Sequence, residues 1–372
     1  MPDVIRILMM GAFIVALATP AFGVDCFNEI HPDYWKVDVP SLIHIKSEED
    51  ALKVRNNVIK YLWREDGFPA NKMPDKVTSE APQWMKHIGS ENIERVEKLD
   101  IKMDFGLRSR VYLFHPKQIA NRLLIFHMGH SDDILTAGGK ETVQFFLDKG
   151  FSVMTFWMPG LGENNSPIKM PGKTPISLVE GAVQKHNQLS ETLDHAKVSF
   201  IRYFLEPVVV GINYVEKKYD YQDIAMTGIS GGGWTTNLCA AIEPRIRYSF
   251  PVAGSVPLYL REPPCYAASK GDAEQWWPQL YQDVASYLDL YILGGYGKGR
   301  KMVQVYNKYD NCCFFGIGYQ TFEPYILEAM ERLHNGSYRI YLDESHRDHK
   351  ISQKVIEEVI WTDLSQEDLL SS

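Results

Sequence analysis

One short segment of the sequence carries residues whose types and spacing favour nucleophilic catalysis. An apolar run that begins at Asp223 leads into Gly-Ile-Ser-Gly-Gly (228–232), and a helical pattern follows from Trp234. A serine in a Gly-x-Ser-x-Gly turn between a strand and a helix sits on a strained backbone, and its neighbours must be glycine because other segments approach closely. The first N–H groups of the following helix can stabilise an oxyanion. Ser230 is therefore the candidate nucleophile, and the backbone N–H of Gly231 is a candidate oxyanion donor.

A serine alone is a weak nucleophile, so this chemistry also needs a base and an acid that orients the base. In a sheet of parallel strands these residues are expected in the order serine, aspartate, histidine, each just past the end of a strand. Asp310 follows the apolar run 301–306, and His349 lies between the apolar run 338–342 and a final helical pattern. The spacing predicts Ser230, Asp310 and His349 as a catalytic triad.

Two further residues are alternative candidates for the base and for the acid. His346 stands shortly before His349, and Asp343 follows the same apolar run. Only one histidine can occupy the base position, and we prefer His349 because the helical pattern that starts at Ile351 would hold its backbone at the edge of the sheet. Asp343 ranks below Asp310 because it lies only a few residues from both histidines.

The oxyanion needs a second N–H donor, which usually comes from the loop after an earlier strand. The apolar run 122–126 is followed by the tetrapeptide His-Met-Gly-His (127–130). Gly129 would let the backbone turn toward the serine. We therefore predict the backbone N–H of His130 as the second donor.

These features together resemble the α/β-hydrolase superfamily, in particular its secreted esterase- and peptidase-like members. The resemblance rests on the turn at Ser230, the His-x-Gly loop at 127–129, and Asp310 and His349 in that order, and it covers roughly residue 92 to the end. It implies an α/β fold with a mostly parallel, doubly wound sheet flanked by helices. It also implies a serine hydrolase that cleaves an ester, thioester or amide, with carboxylesterase activity preferred over peptidase activity.

The same fold class follows from the alternation of apolar runs and amphipathic helices, which is typical of a mostly parallel sheet with helices on both faces. A helix capped by Ser47 stands out in the polar segment before residue 92. We expect an N-terminal extension at 24–91 packed on a hydrolase domain at 92–372, with insertions above the sheet at 166–197 and 255–300. The predicted strands are 110–114, 122–127, 151–157, 223–227, 248–253, 301–306 and 338–342.

The amino terminus predicts export from the cytoplasm. The apolar stretch from Ile7 to Ala18 is shorter than the roughly 20 residues that span a bilayer, and the small residues Ala21 and Gly23 form a cleavage pattern. Residues 1–23 are therefore expected to be a signal peptide, which makes the protein secreted or periplasmic and leaves no stable membrane span. Such a compartment allows one or two disulfides among Cys26, Cys265, Cys312 and Cys313, while Cys239 lies in an apolar helical pattern typical of a buried thiol.

Two other function classes remain as alternatives. The segment His130-Ser-Asp132-Asp133 resembles zinc-dependent deacetylases, in which His130 and Asp133 would bind zinc, Asp132 would act as the base and a carboxyl-terminal histidine would complete the site. A hydrolase-like scaffold used only for binding is the other alternative.

The expected partner is a small-molecule or peptide acyl substrate. The net charge of −8 and the lack of a basic patch argue against a nucleic-acid partner. The sequence has no glycine-rich nucleotide-binding motif after a predicted strand. The prediction of a serine hydrolase therefore includes no cofactor and no metal.

Overall fold

The computed structural model describes residues 25–194, 198–265 and 271–365, and these contain a nine-stranded sheet. The strand order is β1-β2-β3-β5-β4-β6-β7-β8-β9, and the five neighbouring pairs from β5–β4 to β8–β9 are parallel. The mostly parallel sheet predicted from the sequence is thus confirmed. The strands are β1 (Lys76–Thr78), β2 (Ile93–Lys102), β3 (Arg108–Pro116), β4 (Arg122–His127), β5 (Ser152–Phe156), β6 (Asp223–Ile229), β7 (Tyr248–Val252), β8 (Lys301–Asn307) and β9 (Ser337–Asp343).

All seven predicted strands are present, and the two that were not predicted are β1 and β2. These two form the antiparallel edge of the sheet, where β2 pairs with both β1 and β3. Polar and apolar residues are mixed along β2, whose buried apolar side chains include Leu99 and Ile101. Continuous apolar runs are typical of strands buried on both faces, and a prediction from such runs does not detect a strand with this mixed pattern.

Helices cover both faces of the sheet, as a doubly wound arrangement requires. One apolar cluster includes Phe146 and Ile356, and another includes Val208, Leu238 and Ile292. The helices are α1 (Glu48–Trp63), α2 (Gly139–Asp148), α3 (Ala182–Asp194), α4 (Arg202–Lys218), α5 (Gly231–Ile242), α6 (Ala273–Trp276), α7 (Pro278–Tyr281), α8 (Tyr287–Gly295) and α9 (Glu323–Leu333), followed by a π-helical segment (Val355–Trp361) that continues into α10 (Thr362–Ser365).

The expected insertions contain helices, but one of them lies deeper than predicted. The first, 166–197, contributes α3, and the second, 255–300, contributes α6, α7 and α8. Every residue of α8 is buried, and the helix packs against α5 within the core rather than only above the sheet. Apart from Asp289 the residues of this helix are apolar or glycine, and a helix that is apolar on all sides is typically buried.

The segment before β2 is joined to the body of the protein by buried contacts. Ser47 caps α1 by accepting a hydrogen bond from the Asp50 N–H at 3.1 Å. The buried Arg55 guanidinium donates to the carbonyl oxygens of Ala241 and Leu293, at the ends of α5 and α8. These carbonyls face a cation near two helix C-termini, where positive charge is favoured.

Two disulfides are present, Cys26–Cys265 and Cys312–Cys313, and Cys239 is a buried free thiol as expected. The first disulfide ties the N-terminal segment to the second insertion. Among the described residues, no helix is both long enough and apolar enough to cross a membrane. The predicted signal peptide at 1–23 lies outside the described residues.

Candidate active site

Ser230 sits at a sharp turn between β6 and α5, with φ 58° and ψ −123°. Non-glycine residues rarely adopt a positive φ, and when they do the strain is often held at a functional position. The turn is possible only with glycine around it. A Cβ on Gly232 would come within 2.0 Å of the His127 carbonyl oxygen, and one on Gly228 would come within 2.5 Å of the Gly232 carbonyl carbon.

The loop after β4 runs directly against this turn. A Cβ on Gly129 would lie 2.8 Å from the Ser230 Cβ and 3.1 Å from the Gly231 nitrogen. Gly231 opens α5, so its N–H has no acceptor inside the helix. The N–H of His130 likewise has no acceptor among the described residues. Both predicted oxyanion donors therefore belong to segments that meet at the serine, and their role stays a prediction.

His349 and Asp310 form a close pair after the ends of β9 and β8. The His349 Nδ1 lies 2.7 Å from Asp310 Oδ2, and the His349 Nε2 is buried without a hydrogen-bond partner among the described residues. Because the ionised carboxylate of Asp310 can only accept hydrogen bonds, the hydrogen of the neutral ring is on Nδ1, and Nε2 has a lone pair. This tautomer is the one that a general base requires.

The carboxylate of Asp310 is held from several sides. Its Oδ1 accepts the backbone N–H of Cys312 at 2.8 Å and that of Cys313 at 3.1 Å. Asn307, the last residue of β8, donates from Nδ2 to Asp310 Oδ2 at 3.2 Å and to the carbonyl oxygen of Lys350 at 2.9 Å. Asn307 therefore links the acid to the residue that follows His349. The sequence reasoning missed Asn307, although its place at the end of a strand before Asp310 was a usable signal.

The alternative residues His346 and Asp343 form a second pair, with His346 Nε2 3.2 Å from Asp343 Oδ2. Neither nitrogen of this buried ring has a hydrogen-bond partner among the described residues. Asp343 accepts hydrogen bonds from the Ser345 N–H and the Ser352 hydroxyl. The structure thus holds two Asp–His pairs, and only one of them reaches the cavity above Ser230.

That cavity has a volume of about 550 Å³, and Ser230 and His349 both open into it. A cavity of this size falls in the range of small-molecule sites. Most of the residues that line it are apolar or have small side chains. Besides these two residues it is lined by Met128, Gly129, His130, Ser131, Thr136, Ala137, Val183, Ile229, Cys265, Gly271, Asp272, Gln275, Cys312, Cys313, Phe314 and Phe315.

The side chain of His130 joins a buried polar cluster beside the cavity. Its Nε2 contacts Asp272 Oδ2 and lies 2.9 Å from Glu274 Oε1, and the His186 Nδ1 lies 3.2 Å from that same Glu274 oxygen. Burial works to lower the pKa of His130, but the hydrogen bonds to Asp272 and Glu274 outweigh it and raise the pKa to about 10. The two carboxylates therefore favour positive charge at this place.

The zinc arrangement considered from the sequence is not assembled. Asp133 accepts the N–H of Leu135 at 2.9 Å within its own turn, and Asp132 accepts the N–H of Gly162 at 2.7 Å. His130 instead faces acids of the second insertion. Sequence reasoning missed these partners because a histidine in α3 and two acids near α6 carry no spacing signal that links them to His130.

Comparisons with known proteins give no sequence relative but a clear structural likeness. No family model matches the chain, and no curated protein matches it. Acetyl xylan esterase 1 from Thermoanaerobacterium sp. JW/SL YS485 is 14% identical, with TM-score 0.53 and coverage of 91% of this chain and 98% of that one. The acetyl xylan esterase from Paenibacillus sp. R4 is 13% identical, with TM-score 0.54 and coverage of 88% and 98%.

A third structure, the methylesterase BT1017, is 13% identical with TM-score 0.60, and the match covers 88% of this chain and 66% of that one. At such low identity the likeness concerns the fold. Together with the sheet order and the position of the serine turn, it means that this chain has the α/β-hydrolase fold.

Proposed function

We propose that this protein is a serine esterase that works through an acyl-enzyme, with Ser230 as nucleophile, His349 as base and Asp310 as the acid that orients the base. The observation that carries the proposal is the shared cavity. Ser230, on its strained turn, and His349 both line this cavity. The His349 Nε2 has no hydrogen-bond partner among the described residues, and the His349 Nδ1 is held 2.7 Å from the buried Asp310.

The mechanism follows from these positions. Ser230 Oγ attacks the carbonyl carbon of the ester, and His349 Nε2 takes the hydroxyl proton. The negative oxygen of the tetrahedral intermediate would be stabilised by the N–H groups of Gly231 and His130 and by the positive end of α5. Collapse of the intermediate releases the alcohol, which takes the proton from His349. Water then repeats the sequence with the acyl-enzyme and frees the carboxylic acid.

An ester is preferred to a thioester or amide as substrate. Three solved structures with TM-scores above 0.5 are named as two acetyl xylan esterases and a methylesterase. The cavity accommodates a small-molecule substrate or the end of a peptide, and the proposal includes no cofactor. A secreted or periplasmic location is part of the proposal, and the Cys26–Cys265 disulfide supports it because such bonds persist in oxidising compartments.

The test is covalent labelling with a serine-directed fluorophosphonate, followed by mass mapping of the modified residue. We expect labelling at Ser230 in the wild-type protein and none in Ser230→Ala. Ser131→Ala is the matched control, because Ser131 lines the same cavity and its hydroxyl bonds only within its own loop. This control should label like the wild type.

Turnover is then measured on a panel of short-chain aryl esters, a thioester and an aminoacyl amide. Ser230→Ala should lower kcat by about 10⁴-fold or more while circular dichroism and the thermal midpoint remain close to those of the wild type. Ester hydrolysis that persists in a folded Ser230→Ala protein would contradict the proposed mechanism.

A further inference from the structure

The buried cluster beside the cavity brings together four side chains that commonly bind metals. His130, His186, Asp272 and Glu274 each offer one ligand atom, and these atoms all lie within 4.8 Å of one another. The four come from three distant segments: the loop after β4, the helix α3, and the start of α6. His186 and Glu274 are completely buried.

The contacts around His186 indicate that its Nδ1 carries no hydrogen when the ring is neutral. The His186 Nε2 lies 3.1 Å from the Pro159 carbonyl oxygen, which can only accept, so Nε2 carries the hydrogen. In the neutral ring Nδ1 then holds a lone pair, and it faces Glu274 Oε1 at 3.2 Å. Two electron-rich atoms stay this close only when a proton or another cation lies between them. A ring nitrogen that donates to a backbone carbonyl while the other faces an ion is the usual arrangement of metal-binding histidines.

The second observation that favours a bound cation concerns the carboxylate of Glu274. Its Oε1 is contacted by both imidazoles, and its Oε2 is buried without a hydrogen-bond partner among the described residues. Burying a carboxylate oxygen without a partner is costly. Both imidazoles must be neutral to bind a metal, so an ion would replace the proton that His130 otherwise carries between the two carboxylates. With both imidazoles neutral, the two carboxylates leave two negative charges in this enclosed place, which is the charge that one divalent cation would neutralise.

We propose that His130, His186, Asp272 and Glu274 bind one divalent transition-metal ion of the Zn²⁺ type. Two imidazole nitrogens and two carboxylate oxygens suit zinc in a four-coordinate site. Because all four positions come from the protein, the ion is a structural one. The proposal does not rest on the serine mechanism, and it differs from a deacetylase site because Asp133 takes no part.

The position of the site gives the ion a defined role in the architecture. The His130 ring lies against the serine turn, since a Cβ on Gly231 would come 2.6 Å from His130 Cε1. An ion bound to His130 Nε2 would join α3 and the second insertion to the loop that carries the predicted oxyanion donor. It would hold one wall of the cavity against the turn at Ser230.

The experiment measures the metal directly in the full mature chain without an affinity tag. The protein is dialysed against a chelator, reloaded with ZnCl₂ alone, passed through gel filtration and assayed for zinc by mass spectrometry. We expect about one zinc ion per chain and a higher thermal midpoint after reloading, because a ligand that binds only the folded state stabilises it. Loading with Co²⁺ should give the visible absorption bands of a four-coordinate cobalt centre.

Variants locate the ion. Asp272→Asn, at the rim of the cavity, and His186→Gln should lose the bound zinc and the rise in thermal midpoint. His44→Gln is the matched control, because His44 also contacts a carboxylate, Asp289 Oδ2 at 2.6 Å, but lies outside the cluster. His44→Gln and Ser230→Ala should both keep the ion.

Two results would overturn the proposal: wild-type protein that retains no zinc after reloading, or cluster variants that retain as much as the wild type. The cobalt spectrum of the wild-type protein needs no variant, so a variant that fails to fold does not remove the test. Loss of the serine mechanism with zinc retained would separate the failure of the proposed function from that of the metal site.

Discussion

The ends of β8 and β9 carry two Asp–His pairs that look alike in composition but differ in what they can do. Asp310 and His349 are 2.7 Å apart, and Asp343 and His346 are 3.2 Å apart. Both aspartates are buried and both accept hydrogen bonds from the loops that follow them. The contacts within each pair therefore do not decide which histidine can act as the base.

The difference lies in the surroundings of the second ring nitrogen. His349 lines the cavity that contains Ser230, whereas His346 is absent from its wall and its side chain, only 8% exposed, lies against Asp343. A base must reach the proton that it removes, and only then does its protonation matter. An Asp–His pair thus becomes a candidate catalytic pair through access to the nucleophile, and we expect the pair of Asp343 and His346 to contribute to stability instead.

The largest expected effect separates the two histidines. His349→Ala should lower kcat on an aryl ester by about 10⁴-fold, as is expected for Ser230→Ala, because members of a triad act as a unit. His346→Ala should change kcat by less than about 10-fold, because the proposed triad of Ser230, His349 and Asp310 remains intact. Kinetics of both variants on one ester make the comparison, and an inactive His346→Ala beside an active His349→Ala would reverse the assignment.

The next effect separates the two acids. Asp310→Asn should lower kcat by about 10³-fold or more, because an amide in place of the carboxylate no longer fixes the hydrogen on His349 Nδ1. Asp343→Asn should retain most of the activity. Equal kinetic losses in the two variants would remove the distinction between the pairs. The thermal midpoint of each variant, measured in the same buffer, shows whether a loss of activity is only a loss of folding.

A smaller effect concerns stability and the Asp343 pair. Ser352 donates its hydroxyl to Asp343 and also caps the following helical turn by accepting the Val355 N–H. Ser352→Ala removes both contacts and should lower the free energy of unfolding by about 1–3 kcal/mol with kcat nearly unchanged. Denaturant unfolding measures the change, and a large loss of kcat in this variant would link the second pair to catalysis.

The smallest expected effect is the acid dependence of stability. Burial works to raise the pKa of Asp343, but hydrogen bonds from Ser345 and Ser352 outweigh it and hold the pKa below its ordinary value of 3.8. A lowered carboxyl pKa stabilises the fold above the unfolded-state value, and this contribution is lost as the pH falls through the folded-state pKa. Between pH 5 and about 3, Asp343→Asn should therefore lose less stability than the wild type in parallel unfolding titrations. A steeper loss in the variant would contradict the assignment.

Local pattern was sufficient for much of the fold and for part of the candidate site. The seven predicted strands, the cap of α1 and the Gly-x-Ser-x-Gly turn are specified by neighbouring residues, because apolar runs, caps and glycine conformations act over short stretches of chain. The order of Ser230, Asp310 and His349 along the chain follows from the same alternation. The strand β2 was missed because its mixed polar and apolar pattern reflects an antiparallel edge, which depends on its neighbours.

Residues brought together from distant segments could not be paired from the sequence. Three features depend on how the insertions pack: the pairing of the cysteines, the histidine that reaches the cavity, and the arrangement of His186, Asp272 and Glu274 around His130. The sequence of an insertion does not indicate which distant residues it will contact. The sequence by itself determined a strained serine turn on a mostly parallel sheet, because that turn is local. Only the tertiary structure decided that His349 reaches the cavity above the turn while His346 does not. It also decided that a cluster of imidazoles and carboxylates lies beside the cavity, because side chains far apart in sequence meet only when the chain is folded.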